Sequence, residues 1–239
     1  MYADSVVTAS TLVKRLRTVG SDLPSSLAAQ IVALGGGVTP FLLALLDDRP
    51  AADEDEGPGA AEACADCGQQ HDNRAWARLH AVDLLTELRE PAAIDAMLNI
   101  IVHTSSDEPI HDKVVERLPD FGGDALEPTL AALARTTKET ETAESLCCVL
   151  SALGVRDERI LHALLDLLTV HPRAAAMYLT EYGDAAACPA LLAVIAASHA
   201  DVEDTSERME VLDLVDAYAN LGGELPAAVK AKIDAWLGG

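Results

Sequence analysis

A bulky apolar residue followed directly by glycine recurs along this chain. The pattern occurs as Leu34-Gly35, Phe121-Gly122, Leu153-Gly154, Tyr182-Gly183 and Leu221-Gly222. Leu88-Arg89 occupies the corresponding place between two apolar stretches, with arginine in the glycine position and Pro91 two residues later. Glycine enters the left-handed backbone region without steric cost, so it is common just beyond the last turn of a helix. The pattern therefore predicts six helix ends. They are separated by 54, 33, 32, 29 and 39 residues.

Each of these six markers stands between two stretches with helical periodicity. Leu27, Ile31 and Leu34 precede the first marker, and the fourth is followed by Leu161, Leu164, Leu165 and Leu168. Spacings of three and four residues place such side chains on one face of a helix. The sequence predicts six antiparallel helix pairs, at about 22–47, 73–103, 107–136, 139–170, 172–199 and 205–237, with an N-terminal capping helix over 5–19.

Composition points to the same class of fold. Half of the residues are apolar, but only 3% are aromatic, so the core must consist mainly of Leu, Ala, Val and Ile. Ala and Leu are strong helix formers, and runs of β-branched or aromatic residues are scarce. Helices of two to four turns are marginal in water by themselves, so neighbouring pairs must stack. We predict an all-α chain, a single solenoid domain over residues 1–239.

Three segments resemble the HEAT repeat. Residues 182–195 (YGDAAACPALLAVI) match its apolar-Gly-Asp turn, small residues, proline and Leu-rich second helix. Residues 121–128 (FGGDALEP) are similar to the same turn, and residues 73–81 (NRAWARLHA) are similar to the start of a repeat. The resemblance covers residues 22–237, although the family's Asp-x-x-Val-Arg ladder is missing. It implies a right-handed α–α superhelix that serves as a scaffold and carries no shared catalytic residues.

The long first interval predicts an insertion at about 48–72, between the first and second helix pairs. Residues 47–72 (DDRPAADEDEGPGAAEACADCGQQHD) contain nine acidic residues and one basic residue, −8 of the net charge of −22. A segment with so few large apolar side chains cannot bury enough surface to order itself. It is either a solvated flexible loop or a loop that gives the solenoid its specificity. In the second case, Asp53, Glu54, Asp55 and Glu56 would contact a basic partner.

The same insertion contains a candidate metal site. Cys64 and Cys67 form a C-x-x-C pair, which lets two thiolates point at one tetrahedral Zn²⁺, and His71 supplies a third ligand. The local sequence offers no clear fourth ligand, and His80 is the nearest candidate. The alternatives are thiols without a ligand and a redox or disulfide pair. The sequence indicates no cofactor other than this zinc.

Net charge narrows the class of partner. There are 39 acidic and 17 basic residues, and a field of this sign repels phosphates and anionic lipid headgroups. We expect neither nucleic acid nor membrane as the main partner. The acidity has two explanations: adaptation of the whole chain to salt or genome composition, or a basic partner. Five cysteines without a secretory leader favour a cytoplasmic protein with reduced thiols.

These patterns leave more than one function open. The sequence lacks the common nucleophile, phosphate-binding and H-E-x-x-H motifs, so we expect a protein-binding scaffold or adaptor and no enzyme. Its groove would present second-helix side chains to a protein or peptide. The first alternative is a structural or regulatory subunit of a larger assembly, with Trp236 and Leu237 as an exposed end. The second is an enzyme-associated relative of HEAT-like lyases or DNA glycosylases, which the acidity and low aromatic content disfavour.

Overall fold

The structure is a computed structural model that describes residues 2–48, 73–198 and 205–237. Within these ranges the regular secondary structure is entirely helical, with thirteen α-helices, three short 3-10 helices and no strand. The predicted all-α class is therefore confirmed. The chain divides into two compact units, residues 1–121 and 122–239. The predicted single domain over residues 1–239 stays a prediction.

The first unit contains six α-helices. Its helix α4 packs against α1, α2, α3, α5 and α6, and its central side chains are fully buried, among them Leu42, Leu85 and Ile101. The 3-10 turns are Gly35–Val38 and Leu118–Phe121. The helices are α1 (Tyr2–Leu16), α2 (Ser25–Val32), α3 (Thr39–Leu46), α4 (Asn73–Glu87), α5 (Ala92–His103) and α6 (Pro109–Arg117).

The second unit contains seven α-helices. Helix α10 packs against both α8 and α12, so these three lie side by side, while α7 and α9 pack on α8, and α11 packs on α12. A 3-10 turn, Ala185–Ala187, precedes α11. The helices are α7 (Gly123–Leu133), α8 (Glu141–Ala152), α9 (Glu158–Leu167), α10 (Pro172–Tyr182), α11 (Cys188–Ala197), α12 (Thr205–Asn220) and α13 (Ala227–Leu237).

The six predicted helix ends are all present. Among the described residues, only Arg89 and five glycines have a positive φ, and these are the six marker positions. The angles run from 48° at Arg89 to 87° at Gly222. A non-glycine residue in this region is strained, because its Cβ approaches the following carbonyl oxygen. Arg89 therefore ends α4 at a conformational cost that the glycines avoid.

Arg89 ends its helix with the same hydrogen bonds as a glycine does. The N–H of Arg89 donates to Thr86 O at 2.9 Å, and the N–H of Glu90 donates to Leu85 O at 3.2 Å. Gly222 and Gly223 make the matching pair at the end of α12. This is the Schellman arrangement, which satisfies carbonyl groups that the helix itself leaves unpaired.

Ion pairs join residues that are about one repeat apart in sequence. In the first unit, Lys113 Nζ lies 2.8 Å from Asp83 Oδ1, thirty positions away. In the second unit, Arg159 Nη2 lies 2.6 Å from Glu127 Oε1, thirty-two positions away. Three further pairs have separations of 28 to 40 residues: Arg17–Asp48, Lys138–Asp166 and Arg173–Asp213. These contacts link elements that follow one another along the chain.

Each predicted helix pair corresponds to two observed helices. The N-terminal helix, expected over 5–19, spans Tyr2–Leu16. The predicted pair at 107–136 contains α6 and α7, and the boundary between the two units falls between these helices, after Phe121. Apart from Asp48, the predicted insertion at about 48–72 lies outside the described residues.

Candidate functional site

An open groove lies along the second unit, on the side where α8, α10 and α12 are adjacent. Its volume is about 610 Å³. Helix α8 contributes Glu144, and the other two helices contribute the remaining lining residues: Arg173, Ala174, Ala176, Met177, Thr180, Glu181, Asp213, Asp216, Ala217 and Asn220.

Helical periodicity places the larger lining side chains in rows. On α10, Arg173, Met177 and Glu181 follow one another at intervals of four residues, so they form one ridge along the helix. The opposite face of α10 is buried through Ala175 and Leu179. Small side chains beside this ridge, such as Ala176 on α10 and Ala217 on α12, leave room for the groove.

Met177 is the exposed apolar side chain of this groove. The residue is 62% exposed, although methionine is usually buried. Methionine is unbranched and polarizable, so it adapts to irregular partner surfaces and is common where proteins bind peptides. Met177 is thus an exposed, adaptable apolar side chain on a wall with small neighbours.

Acidic groups dominate the electrostatics of the groove. The lining has four carboxylates and one cation, Arg173, whose Nε lies 2.6 Å from Asp213 Oδ2. Glu144 Oε2 lies 3.7 Å from His171 Nδ1. Within the described part of the chain, Glu181 and Asp216 have no ion-pair partner. The groove thus has a negative potential, and two of its carboxylates are available to a ligand.

A smaller cavity of about 300 Å³ lies among α7, α8 and α9. Its walls are mainly apolar and include Leu130, Leu167 and the Cys147 thiol, and the Lys138–Asp166 ion pair stands beside it at 2.6 Å. Burial raises the pKa of Cys147 to about 12, so this sulfur stays a neutral thiol at physiological pH. Burial also raises the pKa of Cys148, against the opposing effect of its hydrogen bond with Tyr178. Cys147 is buried and Cys148 is half-buried.

The candidate site residues predicted from sequence all belong to the insertion at about 48–72. Cys64, Cys67 and His71, predicted to hold zinc, fall outside the described residues, as do Asp53, Glu54, Asp55 and Glu56, predicted to contact a partner. Both predictions stay predictions. Over residues 2–48, 73–198 and 205–237, no group of three or more His, Cys, Asp or Glu side chains is placed to hold a metal ion.

No sequence pattern predicts the groove. The sequence predicts second-helix side chains at the binding surface, whereas the groove is lined by the first helices of the predicted pairs, α8, α10 and α12. One local signal is present in the sequence, because Met177 lies on the polar face of α10, opposite the apolar stripe that contains Ala175 and Leu179. The facing residues of α12 carried no such signal, since acidic residues on a helix are usually a solvated surface.

Comparison with protein-family models, curated proteins and solved structures finds no match for this chain. In the part of the chain that the structure describes, no single helix has the length and apolar character needed to cross a membrane. By length and composition alone, one bent pair passes the same test: Ser25–Val32 with Gly35–Leu46, at an angle of 104°.

Proposed function

We propose that this chain is a HEAT-like α-solenoid that binds a protein partner without transforming it. The groove of α8, α10 and α12 carries the proposal, because it combines an open shape, a negative potential and an exposed Met177. Small apolar residues with a few polar groups on rigid helices suit recognition of a peptide segment.

The solenoid arrangement is supported by the order of helix contacts. Inside each unit, a helix packs against helices that are at most three places away along the chain. The ion pairs add links at intervals of one repeat, such as Asp83–Lys113 and Glu127–Arg159. In a right-handed superhelix of helix pairs, each repeat contacts only its neighbours, and the concave side forms an extended binding surface.

Hydrogen exchange tests the repeat architecture. In a solenoid, stability is a sum of repeat and interface terms, so a local defect spreads only to adjacent repeats. We expect Leu164→Ala in α9 to speed exchange in α8, α9 and α10 more than in α12. A uniform rise in exchange across the chain would argue for one globally cooperative domain instead.

The binding proposal is tested by capture with the full-length chain from its native cell extract. Met177→Arg places a bulky cation in the groove without disturbing the core, so it should abolish capture of the specific partner while thermal unfolding is unchanged. Met209→Arg is the matched control, because Met209 is also an exposed methionine, at 43%, and does not line the groove. The partner is then identified and its binding repeated with purified proteins. Equal capture by both variants would contradict the groove as the binding site.

We further propose that residues 47–72 help to attract a basic partner. Their charge of −8 would raise the association rate at low salt and lose this effect as ionic strength rises. Replacing residues 49–72 with a short Gly-Ser linker keeps the Arg17–Asp48 ion pair and should change stability by about 1 kcal/mol or less, since loop-closure entropy depends only weakly on length. Capture at low salt should fall. Unchanged capture would show that the loop has no part in recognition.

A structural subunit of a larger assembly is the second candidate function. It is favoured by α1, where Val7 is 66% exposed and Val6 is 40% exposed, as expected of an end that stacks on another protein. Val7→Asp should then release the chain from its native complex in size-exclusion fractions of the extract. Co-elution of the variant with the same large complex would count against this candidate.

A further inference from the structure

We infer that the groove of α8, α10 and α12 receives an extended basic segment of its partner, in which a lysine or arginine lies two positions away from an aliphatic residue. This inference rests on the proposed binding function and adds the chemistry of the bound segment. It concerns the groove of the second unit and does not depend on the acidic insertion.

Charge complementarity determines the sign of the charge on the bound segment. The four lining carboxylates and Arg173 give the groove a formal charge of −3. Asp213 is already paired with Arg173, and Glu144 lies 3.7 Å from His171 Nδ1. This leaves Glu181 on α10 and Asp216 on α12 as the carboxylates that a ligand can reach. Since one lies on each wall, a segment in the groove would meet an acidic group on both sides. An acidic or phosphorylated segment would be repelled.

The spacing along α10 determines the pattern within the segment. Met177 and Glu181 are four residues apart, so they are separated by about 6 Å along the helix axis. In an extended chain, residues two apart point to the same side and are separated by about 6.6 Å. An aliphatic side chain on Met177 therefore places the residue two positions away next to Glu181. Arg173 lies four residues before Met177 on the same ridge, so it would repel a cation on the other side of the aliphatic residue. The pattern is therefore an aliphatic residue with a basic residue two positions away, in either chain direction, and Lys-Ala-Leu-Ala-Lys contains it in both directions.

Synthetic peptides test this pattern on the full-length chain. The probe is a fluorescein-labelled peptide with Lys-Ala-Leu-Ala-Lys at its centre and Gly-Ser flanks, and its binding is followed by fluorescence anisotropy at low salt. Companion peptides carry Glu-Ala-Leu-Ala-Glu or Lys-Ala-Ser-Ala-Lys. We expect binding of the probe only, and weaker binding at high salt because exposed charge pairs are screened.

Matched variants locate the binding site. Glu181→Gln with Asp216→Asn removes two charges without changing side-chain shape, and it should weaken probe binding about threefold to tenfold, as two exposed ion pairs would. The control is Glu139→Gln with Glu158→Gln, which makes the same change in net charge at exposed positions outside the groove. It should leave the affinity unchanged. Met177→Ala should also weaken binding of the probe, whereas Met209→Ala should leave it unchanged.

Several results would overturn the inference. Equal weakening by the two charge-neutralised pairs would mean that the probe senses only the overall field. Tight binding of the serine peptide would indicate a site for any small polycation. Displacement of the leucine probe by spermine at the same concentration would indicate the same. Self-association that depends on Glu181 and Asp216 would make a second copy of the chain the occupant. Failure of every peptide, with capture of the natural partner still sensitive to Met177→Arg, would reject the basic segment and leave the proposed binding function standing.

Discussion

The phenol oxygen of Tyr182 makes two hydrogen bonds to the backbone of Asp157. It donates to the carbonyl oxygen of Asp157 at 3.0 Å and accepts from the N–H of Asp157 at 3.0 Å. The ring of Tyr182 also lies 4.8 Å from the guanidinium carbon of Arg156. The end of α10 is thus joined to the start of α9, one repeat earlier in the chain.

Removing this hydroxyl should destabilise the second unit. Tyr182→Phe keeps the buried ring but leaves the N–H and carbonyl of Asp157 without this partner, at an expected cost of about 1–2 kcal/mol. Tyr218→Phe is a matched control, because the hydroxyl of Tyr218 makes only one long bond, to Glu224 O at 3.3 Å. Urea unfolding measures both. An unchanged free energy of unfolding for Tyr182→Phe would show that these two hydrogen bonds contribute little.

Arg89 offers a stabilising substitution. Its φ of 48° strains a residue with a Cβ, so Arg89→Gly should stabilise the fold by about 0.5–1 kcal/mol after the greater unfolded-state entropy of glycine is included. Gly154→Ala makes the reverse change at a φ of 67°, where a Cβ would have open space, and should cost about 1–2 kcal/mol. Gly37→Ala is the control, since it has open space and no positive φ. The melting temperature should be highest for Arg89→Gly, intermediate for Gly37→Ala and lowest for Gly154→Ala. A different order would show that a positive φ does not strain these positions.

Leu164 and Leu165 should differ in their contribution to stability. The sequence predicts that both lie between neighbouring helix pairs, but only Leu164 is fully buried, and Leu165 is half-buried. Leu164→Ala should cost about 2–5 kcal/mol, as buried Leu→Ala changes do, and Leu165→Ala should cost clearly less. Equal losses in chemical denaturation would mean that α9 is rotated from the position described.

Asp157 should contribute to stability in a defined pH range. Hydrogen bonds from Arg159 lower the pKa of Asp157 to about 2, below its usual value of about 3.9. The ionised carboxylate therefore stabilises the fold above about pH 4, and this contribution is lost as the pH falls from 4 through 2. Asp157→Asn keeps an N-cap acceptor and removes the charge. The melting temperature of Asp157→Asn should fall less steeply than that of the unchanged protein between pH 4 and pH 2. Parallel plots of melting temperature against pH for the two proteins would contradict this expectation.

The thiols of α8 should resist alkylation in the folded protein. Because burial raises the pKa of Cys147 to about 12 and also raises that of Cys148, little thiolate is present at pH 8. Iodoacetamide should leave the peptide that carries both residues unmodified until urea is added, as measured by mass spectrometry. Rapid modification of the native protein would show that α8 opens locally or packs less tightly.

Local chemistry made the helix boundaries predictable from sequence. A helix end depends on a residue that tolerates a positive φ and on carbonyl groups within the previous turn, so Gly35, Gly122, Gly183 and even Arg89 could be assigned without knowledge of the fold. The zinc ligands and the acidic partner residues of the insertion were also proposed from sequence. They lie outside the described residues.

The sequence by itself determined the helix pairs, their ends and the side of each helix that avoids water, because these follow from contacts within about one turn. The tertiary structure decided which helices lie side by side. That choice brought Glu181 of α10 and Asp216 of α12 to one groove and Arg159 to Glu127, pairs that are 35 and 32 residues apart. Along the sequence, each of these residues looks like part of an ordinary solvated helix surface. Only packing between repeats determines which exposed side chains meet, because the free energy that sets helix position comes from the buried faces.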